Sequence, residues 1–251
     1  MKKCLLVILF LLCLGGSVCA FSQDEYKVIK VIDGDTFYID FNRNNFPDAD
    51  EKVRVNGIDT FENKKNPALQ WQMQNYNLTF DEALGLGYFA QEYAKKELLN
   101  KYVKVEYTAN TKFDPNNRHL MSIYYDCKSA DISSCKSYEQ EVVKEGLAKI
   151  YTRSNIADKL QPFVNNEKFG KYVSKTRKMD LVVRNRNSCK IHKTTCDYAW
   201  ASGDVELIKK PVLSKKFAGC CFKSGNDDLK FYYIHAKQFL VESRPSRPFQ
   251  L

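Results

Sequence analysis

The sequence predicts an α+β protein built on a five-stranded β-barrel of the OB-fold type, with helices packed against the barrel. Two groups of strand-like segments lead to this prediction, three near the start of the mature chain and two further on. A segment with helical spacing of its apolar residues separates the two groups, and another follows them. The order of three strands, helix, two strands and helix is that of a small Greek-key barrel.

The first three strands form a predicted meander. Residues 26 to 41, YKVIKVIDGDTFYIDF, contain two β-rich runs on either side of Asp33 and Gly34, which favour a hairpin. Residues 42 to 51 are polar and acidic, and VRVNGI at 53 to 58 alternates as a third strand. These segments can pair in sequence order.

A long connection, residues 63 to 84, precedes the first predicted helix. That helix is GYFAQEYAKKELLNK, where Phe89, Tyr93 and Leu98 recur at helical intervals. YVKVEYT then reads as a fourth strand. HLMSIYYD, residues 119 to 126, is the predicted fifth strand and follows the turn-forming segment KFDPNN.

The second predicted helix is SYEQEVVKEGLAKIY, residues 137 to 151, whose valines, leucine and isoleucine recur at helical intervals behind a serine cap. Gly146 interrupts this pattern at a cost of about 1 kcal/mol relative to alanine. The glycine therefore either allows close packing or shortens the helix. Residues 156 to 184 are mostly basic and amphipathic, which predicts one or two more helices.

The chain is expected to have three parts. Residues 1 to 20 are a signal peptide, residues 21 to 185 form the barrel domain, and residues 186 to 251 form a cysteine-containing C-terminal module. We place the second boundary near Asn185 because the sequence changes there to short β-like runs, VELIKK and LKFYYIH, between cysteines.

The first residues have the pattern of a secretory signal. Lys2 and Lys3 precede an apolar run, and the segment closes on Val18, Cys19 and Ala20. The run is short for a membrane span, and no later segment approaches the roughly 20 apolar residues that a spanning helix needs. We expect export to a secreted, periplasmic or extracellular location after cleavage near Ala20. A lipid anchor on Cys19 is an alternative that the bulky Val18 disfavours.

The composition is that of a basic globular protein. Of 251 residues, 44% are hydrophobic and 27% charged, which excludes a largely disordered chain. Because the signal contains two lysines and no acids, its removal lowers the formal net charge from +9 to +7. A basic surface attracts polyanions such as nucleic acid or acidic membranes, and it is also compatible with simple solubility.

Nine cysteines become six after the signal is removed. The six are Cys127, Cys135, Cys189, Cys196, Cys220 and Cys221. An even number in an exported chain predicts disulfides. The simplest pairing joins Cys127 to Cys135 across a short loop and leaves the last four to pair among themselves. The adjacent Cys220 and Cys221 would bond to different partners.

Zinc binding is the alternative use of the last four cysteines. Cys189, His192 and Cys196 lie close in sequence, with two further cysteines and His235 downstream. Their spacing fits no common zinc-finger pattern, and an exported protein favours oxidised cysteines. Disulfides are therefore the favoured prediction.

Residues 26 to about 151 resemble the staphylococcal nuclease (thermonuclease) family. The resemblance rests on VIDGDTFYI, VRVNGIDTFE, GYFAQEYAKKEL and VVKEGLAKIY, in the family's order, and on an arginine before the fifth strand. DGDT followed by R-x4-D-T-x-E and a later arginine is a specific pattern. Two departures are Phe61, where the family usually has proline, and DPNNR, which replaces the usual lysine-tyrosine-glycine run before the second arginine.

The resemblance implies a secreted, Ca²⁺-dependent nuclease that hydrolyses DNA and RNA with little sequence preference and leaves 3′-phosphates. Three carboxylates brought together repel one another, and a bound divalent cation usually offsets that repulsion. Ca²⁺ takes oxygen ligands. The resemblance implies Asp35, Asp59 and the carbonyl of Thr60 as its ligands, with Asp33 close behind them.

The resemblance also implies roles in binding and chemistry. Arg54 and Arg118 correspond to the family's two phosphate-binding arginines. Glu62 corresponds to the residue that orients or deprotonates the attacking water. Tyr151 is the candidate base-stacking aromatic, and Trp71 in the long connection either stacks on bases or anchors that connection.

Two other functions remain open. One is a catalytically silent OB-fold module that binds nucleic acid, and the other is a disulfide-rich surface or adhesion protein with an inherited barrel. The first is disfavoured because binding alone does not call for carboxylates that face a polyanion. The second rests only on the C-terminal cysteines.

Overall fold

The computed structural model describes residues 25 to 201 and 203 to 210. Its strands are β1 (Tyr26–Val31), β2 (Thr36–Asp40), β3 (Lys52–Val55), β4 (Ile58–Thr60), β5 (Tyr102–Glu106), β6 (His119–Tyr125), β7 (Lys136–Ser137), β8 (Ala148–Ile150), β9 (Leu181–Asn185), β10 (Ile191–Lys193) and β11 (Val205–Lys209). Its α-helices are α1 (Pro67–Tyr76), α2 (Phe80–Leu98), α3 (Tyr138–Lys144), α4 (Ala157–Leu160), α5 (Asn166–Thr176) and α6 (Asp197–Ala201). The predicted signal and the run LKFYYIH lie outside the described residues.

Five strands close into the predicted barrel. Their order is β3-β2-β1-β5-β6, and β3 also pairs with β6, in parallel, which joins the two edges. The predicted meander of β1, β2 and β3 is antiparallel throughout. The OB-fold prediction is therefore confirmed.

The barrel is filled by alternate residues of its strands. Phe37 and Ile39 of β2 and Val53 of β3 have no exposed surface. The Tyr138 ring of α3 packs edge-on against Phe37, with ring centroids 5.5 Å apart. Its hydroxyl donates a 2.6 Å hydrogen bond to the carbonyl of Gly34. Helix α3 thus fixes the DGDT segment, residues 33 to 36, through this hydrogen bond.

Helix α2 is longer than predicted and packs on two cores. It begins at Phe80, several residues before the predicted helix, behind Thr79, which caps the helix and forms a capping box with Glu82. Ala90 and Ala94 contact the barrel core. Leu84 and residues near it contact a second core, which lies against the three-stranded sheet described below. This helix therefore connects the two cores.

The predicted long connection contains a helix that sequence reasoning missed. Helix α1 starts behind Asn66, whose side chain accepts a 2.8 Å hydrogen bond from the Leu69 amide, with Pro67 in its first turn. It ends at Asn77 in the left-handed conformation, φ +50°. The Asn-Pro start and asparagine end are ordinary helix signals, so the prediction of a connection without a helix was wrong for residues 67 to 76.

The second predicted helix stops early. Helix α3 ends at Lys144, and Gly146 adopts φ +76°. A Cβ on Gly146 would lie 2.5 Å from the Phe169 amide nitrogen. The glycine therefore both shortens the helix and allows close packing. Within the rest of the predicted helix, Ala148–Ile150 form β8, which pairs with β4 so that Asp59 lies opposite Lys149. The helical prediction was wrong there.

A three-stranded sheet covers the outer face of α2. Its order is β10-β9-β11, and VELIKK supplies β11 as predicted. The sheet contributes three buried apolar residues to the second core, Leu181, Val183 and Leu207. Strand β9 precedes the expected boundary near Asn185 and pairs with strands that follow it. The boundary itself stays a prediction.

One predicted disulfide, Cys127–Cys135, is present with an S–S distance of 2.06 Å. His192 Nδ1 lies 3.4 Å from Cys196 Sγ. Within residues 25–201 and 203–210 no three His, Cys, Asp or Glu side chains are arranged to hold a metal ion. Cys220, Cys221 and His235 lie outside these ranges, so the pairing of the last four cysteines stays a prediction.

None of the helices in the described ranges is both long and apolar enough to cross a membrane.

Glu139 is a buried carboxyl at the start of α3. It is 1% exposed and accepts hydrogen bonds from the Ile123 amide, at 3.1 Å, and the Ser137 hydroxyl, at 3.0 Å. Burial raises the pKa of this carboxyl from an ordinary 4.5 to about 7, and the hydrogen bonds offset only part of that rise. Between these pH values the folded protein keeps a proton that the unfolded chain has released.

We therefore expect Glu139 to lower the free energy of unfolding as pH rises from about 4.5 to 7, by up to about 3 kcal/mol. Glu139→Gln should remove this dependence because the amide does not titrate. Urea unfolding of the parent and the variant at pH 5 and pH 8 measures it: the parent should lose more stability than the variant between the two pH values. Equal losses would contradict the assignment.

Candidate functional site

Asp35 and Arg54 meet because their strands pair. Strand β2 pairs with β3 so that Thr36 lies opposite Arg54, which brings Arg54 beside the preceding residue, Asp35. Arg54 Nη1 lies 2.5 Å from Asp35 Oδ1, and its Nη2 lies 2.7 Å from Asp59 Oδ1. Nη2 also donates to the carbonyl of Ile58 at 3.1 Å. The guanidinium thus bridges two of the carboxylates that the sequence singled out.

Asp35 is the most buried member of this group, with 1% of its surface exposed. Its Oδ2 accepts hydrogen bonds from the Thr60 amide at 2.7 Å and the Thr60 hydroxyl at 2.9 Å. Its Oδ1 also accepts from the Thr36 hydroxyl at 3.2 Å. The carboxylate therefore ties β2 to the end of β4.

Arg54 stays charged in this environment. Burial by itself lowers the pKa of its guanidinium, but the carboxylates of Asp35 and Asp59 outweigh burial and raise that pKa above its ordinary value. Asp33 lies close to Asp35, and its Oδ1 accepts a 3.1 Å hydrogen bond from the Asp35 amide. Burial, followed by repulsion from Asp35, raises the pKa of the Asp33 carboxyl to about 8.

Glu62 lies two residues beyond Thr60 and is partly buried. Its Oε2 accepts a 2.7 Å hydrogen bond from Asn66 Nδ2. Burial raises the pKa of the Glu62 carboxyl, and the Asn66 hydrogen bond counteracts that rise. Helix α2 passes close to its backbone, since a Cβ on Gly87 would lie 2.2 Å from the Glu62 carbonyl oxygen. Only glycine allows this approach.

Gln72 of α1 is a site residue that sequence reasoning missed. It is 3% exposed and donates from Nε2 to the Thr60 carbonyl at 2.9 Å. Its Oε1 accepts from the Glu62 amide at 3.0 Å. A signal was present, because Gln72 follows the apolar Leu69 by three residues, and that spacing places both on one helix face.

The segment DPNNR holds the second arginine. Asp114 Oδ1 accepts from the amides of Asn116 and Arg118, each at 2.9 Å, and its Oδ2 accepts from Arg118 Nε at 2.7 Å. Burial alone raises the pKa of the Asp114 carboxyl, but these hydrogen bonds and the Arg118 charge hold it below its ordinary value. Arg118 Nη1 reaches Thr36 Oγ1 at 3.4 Å. Thr36 therefore links the environments of both arginines.

A cleft of about 640 Å³ opens beside this group. The residues predicted for binding or chemistry that line it are Arg54, Asp59, Trp71, Arg118 and Tyr151. Trp71 is 54% exposed and Tyr151 49%, so neither ring is a buried anchor. Phe113, also in the cleft and 46% exposed, was not singled out from the sequence.

Asn56 fixes one wall of the cleft. It is 3% exposed, donates to the Thr108 hydroxyl at 3.0 Å and accepts from the Ser154 hydroxyl at 2.9 Å. The Tyr151 amide donates to the Gly57 carbonyl at 2.9 Å. These bonds attach the loop after β8, which carries Tyr151, to the end of β3.

Phe61, which replaces the family's usual proline, is an anchor. It is 1% exposed, stacks on Phe169 with centroids 5.8 Å apart and packs edge-on against Tyr76 at 5.4 Å. The side chain therefore fixes the backbone between Thr60 and Glu62 by burial instead of by a proline ring.

The donor set suits a hard cation. Asp35, Asp59 and the Thr60 carbonyl present only oxygen atoms, which is the chemistry that Ca²⁺ prefers. Asp35 and Asp59 formally carry two negative charges against the single positive charge of the Arg54 guanidinium, so the cluster still attracts a cation. The residues present fit Ca²⁺ by the chemistry of their donors.

Comparison with known proteins supports the family resemblance seen in the sequence. The sequence model of the family described as "Staphylococcal nuclease homologue" matches residues 52–185, more than half of the chain. The chain is also 32% identical over 129 residues to an uncharacterized protein of Methanocaldococcus jannaschii. That match covers 50% of this chain and 58% of the relative, so the chain spans less than two thirds of the relative's length.

The matched range, residues 52–185, contains Arg54, Asp59, Thr60, Glu62 and Arg118. Asp35 precedes the matched range, and the barrel brings it into contact with Arg54. Such a domain is of the nuclease or nucleic-acid-binding type. Because the family model matches more than half of its residues and its strands close into a five-stranded barrel, the chain belongs to the staphylococcal nuclease homologue family.

Proposed function

We propose that this protein is a Ca²⁺-dependent nuclease that hydrolyses phosphodiester bonds of DNA and RNA with little sequence preference and leaves 3′-phosphates. The observation that carries the proposal is the Asp35–Arg54–Asp59 cluster at a cleft that also contains Arg118. A surface that only binds a polyanion gains nothing from carboxylates beside its phosphate-binding arginines, whereas a hydrolytic site uses carboxylates to hold a metal ion or to accept a proton. The family membership supports the same conclusion at the level of nuclease or nucleic-acid binding.

The two arginines are the proposed phosphate-binding groups. A planar guanidinium donates two parallel hydrogen bonds to phosphate oxygens and stabilises the charge that develops as phosphorus becomes five-coordinate. Arg118 is held by Asp114 through Nε and Nη2, which leaves Nη1 directed toward Thr36 and the neighbouring site. Lysine would not replace this geometry, because its ammonium lacks the planar fork.

Glu62 is the proposed base for the attacking water. Its carboxylate accepts a hydrogen bond from Asn66, and its backbone amide donates one to Gln72. These bonds give the carboxylate that would accept the proton a defined position. In the ionised form it takes a proton from water as water attacks phosphorus, and the 5′ oxygen leaves. Since water is the nucleophile, no 2′-hydroxyl is required, and both DNA and RNA are substrates.

Ca²⁺, when bound by Asp35, Asp59 and the Thr60 carbonyl, would polarise a phosphate oxygen and position water beside it. The exposed rings of Trp71 and Tyr151 offer stacking surfaces, which every base can use. Stacking without contacts to base edges accounts for the weak sequence preference in this proposal.

Export is part of the proposal, supported by the signal-like N-terminal sequence and by the Cys127–Cys135 disulfide, a bond typical of exported proteins. We also propose that residues 186 to 251 form a C-terminal module stabilised by disulfides among the last four cysteines.

The oxygen-only donor set predicts the metal requirement. Purified mature chain should cleave plasmid DNA and RNA at millimolar-range Ca²⁺ and lose activity in chelator. Mg²⁺ should substitute poorly, because it requires a smaller octahedral site with near-ideal geometry. Time courses on agarose and denaturing gels, with each metal added back after chelation, measure this. Full activity in chelator would eliminate the calcium assignment.

Replacement of Glu62 separates chemistry from binding. Glu62→Gln keeps an oxygen that accepts from Asn66 but loses the base, so the single-turnover cleavage rate should fall by about 10² to 10⁴. Affinity for a short oligonucleotide in Ca²⁺ should hold or rise slightly, because one charge that repels phosphate is removed. Single-turnover kinetics and fluorescence anisotropy measure the two quantities.

Glu167→Gln is the matched control for that experiment. Glu167 is an exposed glutamate of α5 paired with Lys171, so its replacement should change neither rate nor affinity. If Glu62→Gln cleaves at the parent rate, Glu62 is not the base and is only a residue of the turn after β4. A parent chain that binds the oligonucleotide but cleaves nothing in Ca²⁺ would favour the catalytically silent module.

A further inference from the structure

Helix α1 contacts the candidate site at several points, although it lies in the long connection between β4 and α2. Asn66, which caps the helix, donates to the Glu62 carboxylate. Gln72, in its interior, bonds the backbone at both Thr60 and Glu62. Trp71, the residue before it, lines the cleft. Successive helical residues point about 100° apart, so one turn of α1 serves both the cleft and the interior of the site.

The Gln72 amide has one chemically sensible orientation. Its Nε2 lies 2.9 Å from the Thr60 carbonyl oxygen and 3.4 Å from Asp59 Oδ2, both of which are acceptors. Its Oε1 lies 3.0 Å from the Glu62 amide nitrogen, which is a donor. In the opposite orientation, the Gln72 side-chain oxygen would face two acceptors, the Thr60 carbonyl and the Asp59 carboxylate, and the Gln72 side-chain nitrogen would face a donor, the Glu62 amide. The Gln72 side chain thus donates to Thr60 and Asp59 on one side and accepts from Glu62 on the other.

Two of the three groups that would hold Ca²⁺ are therefore bonded to the same side chain. A carbonyl or carboxylate oxygen can accept one hydrogen bond and still bind a cation with its remaining lone pairs. Groups that orient ligands in this way typically change metal affinity by about 10- to 100-fold when they are removed. At 3% exposure, Gln72 lies where water does not readily take over its hydrogen bonds.

We propose that Gln72 is a positioning residue, which holds the Thr60 carbonyl and the Asp59 carboxylate in the arrangement that binds Ca²⁺ and fixes the backbone of Glu62. The inference rests on the proposed function, because it concerns the same site. It assigns to α1 a role in metal affinity in addition to any contact of Trp71 with substrate.

Gln72→Met tests the proposal, since methionine nearly matches glutamine in length and helix propensity but makes none of these hydrogen bonds. Gln72→Ala is the second variant. Gln74→Ala is the matched control, an exposed glutamine of the same helix. Ca²⁺ affinity of each full-length mature chain is measured by titration calorimetry after chelation, and single-turnover cleavage of an oligonucleotide is measured at saturating Ca²⁺. Melting temperatures in chelator report folding independently of the metal.

Gln72→Met and Gln72→Ala should bind Ca²⁺ about 10- to 100-fold more weakly and remain folded at the assay temperature. Their cleavage should remain slower at saturating Ca²⁺, because the Glu62 backbone has lost its anchor, and Gln74→Ala should match the parent. Parent-like affinity and rate in Gln72→Met would overturn the proposal, as would weakened binding only in variants that melt below the assay temperature. A parent that neither binds Ca²⁺ nor cleaves would instead overturn the proposed function.

Discussion

The contact between Asp35 and Arg54 is the interaction on which the rest of the site depends. Both side chains are largely removed from water, with 2% and 18% of their side-chain surfaces exposed. Loss of one partner from such a pair typically costs about 3 to 5 kcal/mol, because a charge is left buried and uncompensated. The pair therefore constrains β2 and β3 to one register. Through Thr60, which donates twice to Asp35, it also fixes the end of β4.

Around that pair, the residues of the candidate site are held by elements that the barrel alone does not supply. Phe61 anchors the Thr60–Glu62 backbone among aromatic rings, and Gly87 lets α2 approach the Glu62 carbonyl. Helix α1 adds the Gln72 bridge. The backbone that carries Asp59 and Glu62 is thus fixed by three separate contacts. Such support matters for chemistry, since a displacement of about 1 Å in a reacting group can lower the rate about 100-fold.

Most acids and arginines of the candidate site could be singled out from the sequence, because they belong to two short motifs, DGDT and R-x4-D-T-x-E, that lie in or beside strands. The strands themselves follow from alternating apolar residues, which the barrel buries on one face. Asp114 was harder to find, because an aspartate in a polar segment has no local signature of burial. The signal for Gln72, its three-residue spacing from Leu69, places it on the buried face only once the helix itself is recognised. The partners of these residues lie 10 to 12 residues away for Gln72 and in a turn for Asp114. Helix α1 was missed because Leu69, Trp71 and Met73 alternate with glutamines, a period of two that does not indicate a helix.

The sequence by itself determined the five barrel strands and their order along the chain, because local patterning specifies strands. It also singled out the acids and arginines of the candidate site, because they recur in short motifs. It also determined the local disulfide, since short loops favour pairing between neighbouring cysteines. Only the tertiary structure decided that Arg54 lies between two carboxylates, that Trp71 faces a cleft, and that Gly146 ends a helix where Phe169 packs. Each of these depends on contacts between residues distant in the chain, whose geometry no local pattern records.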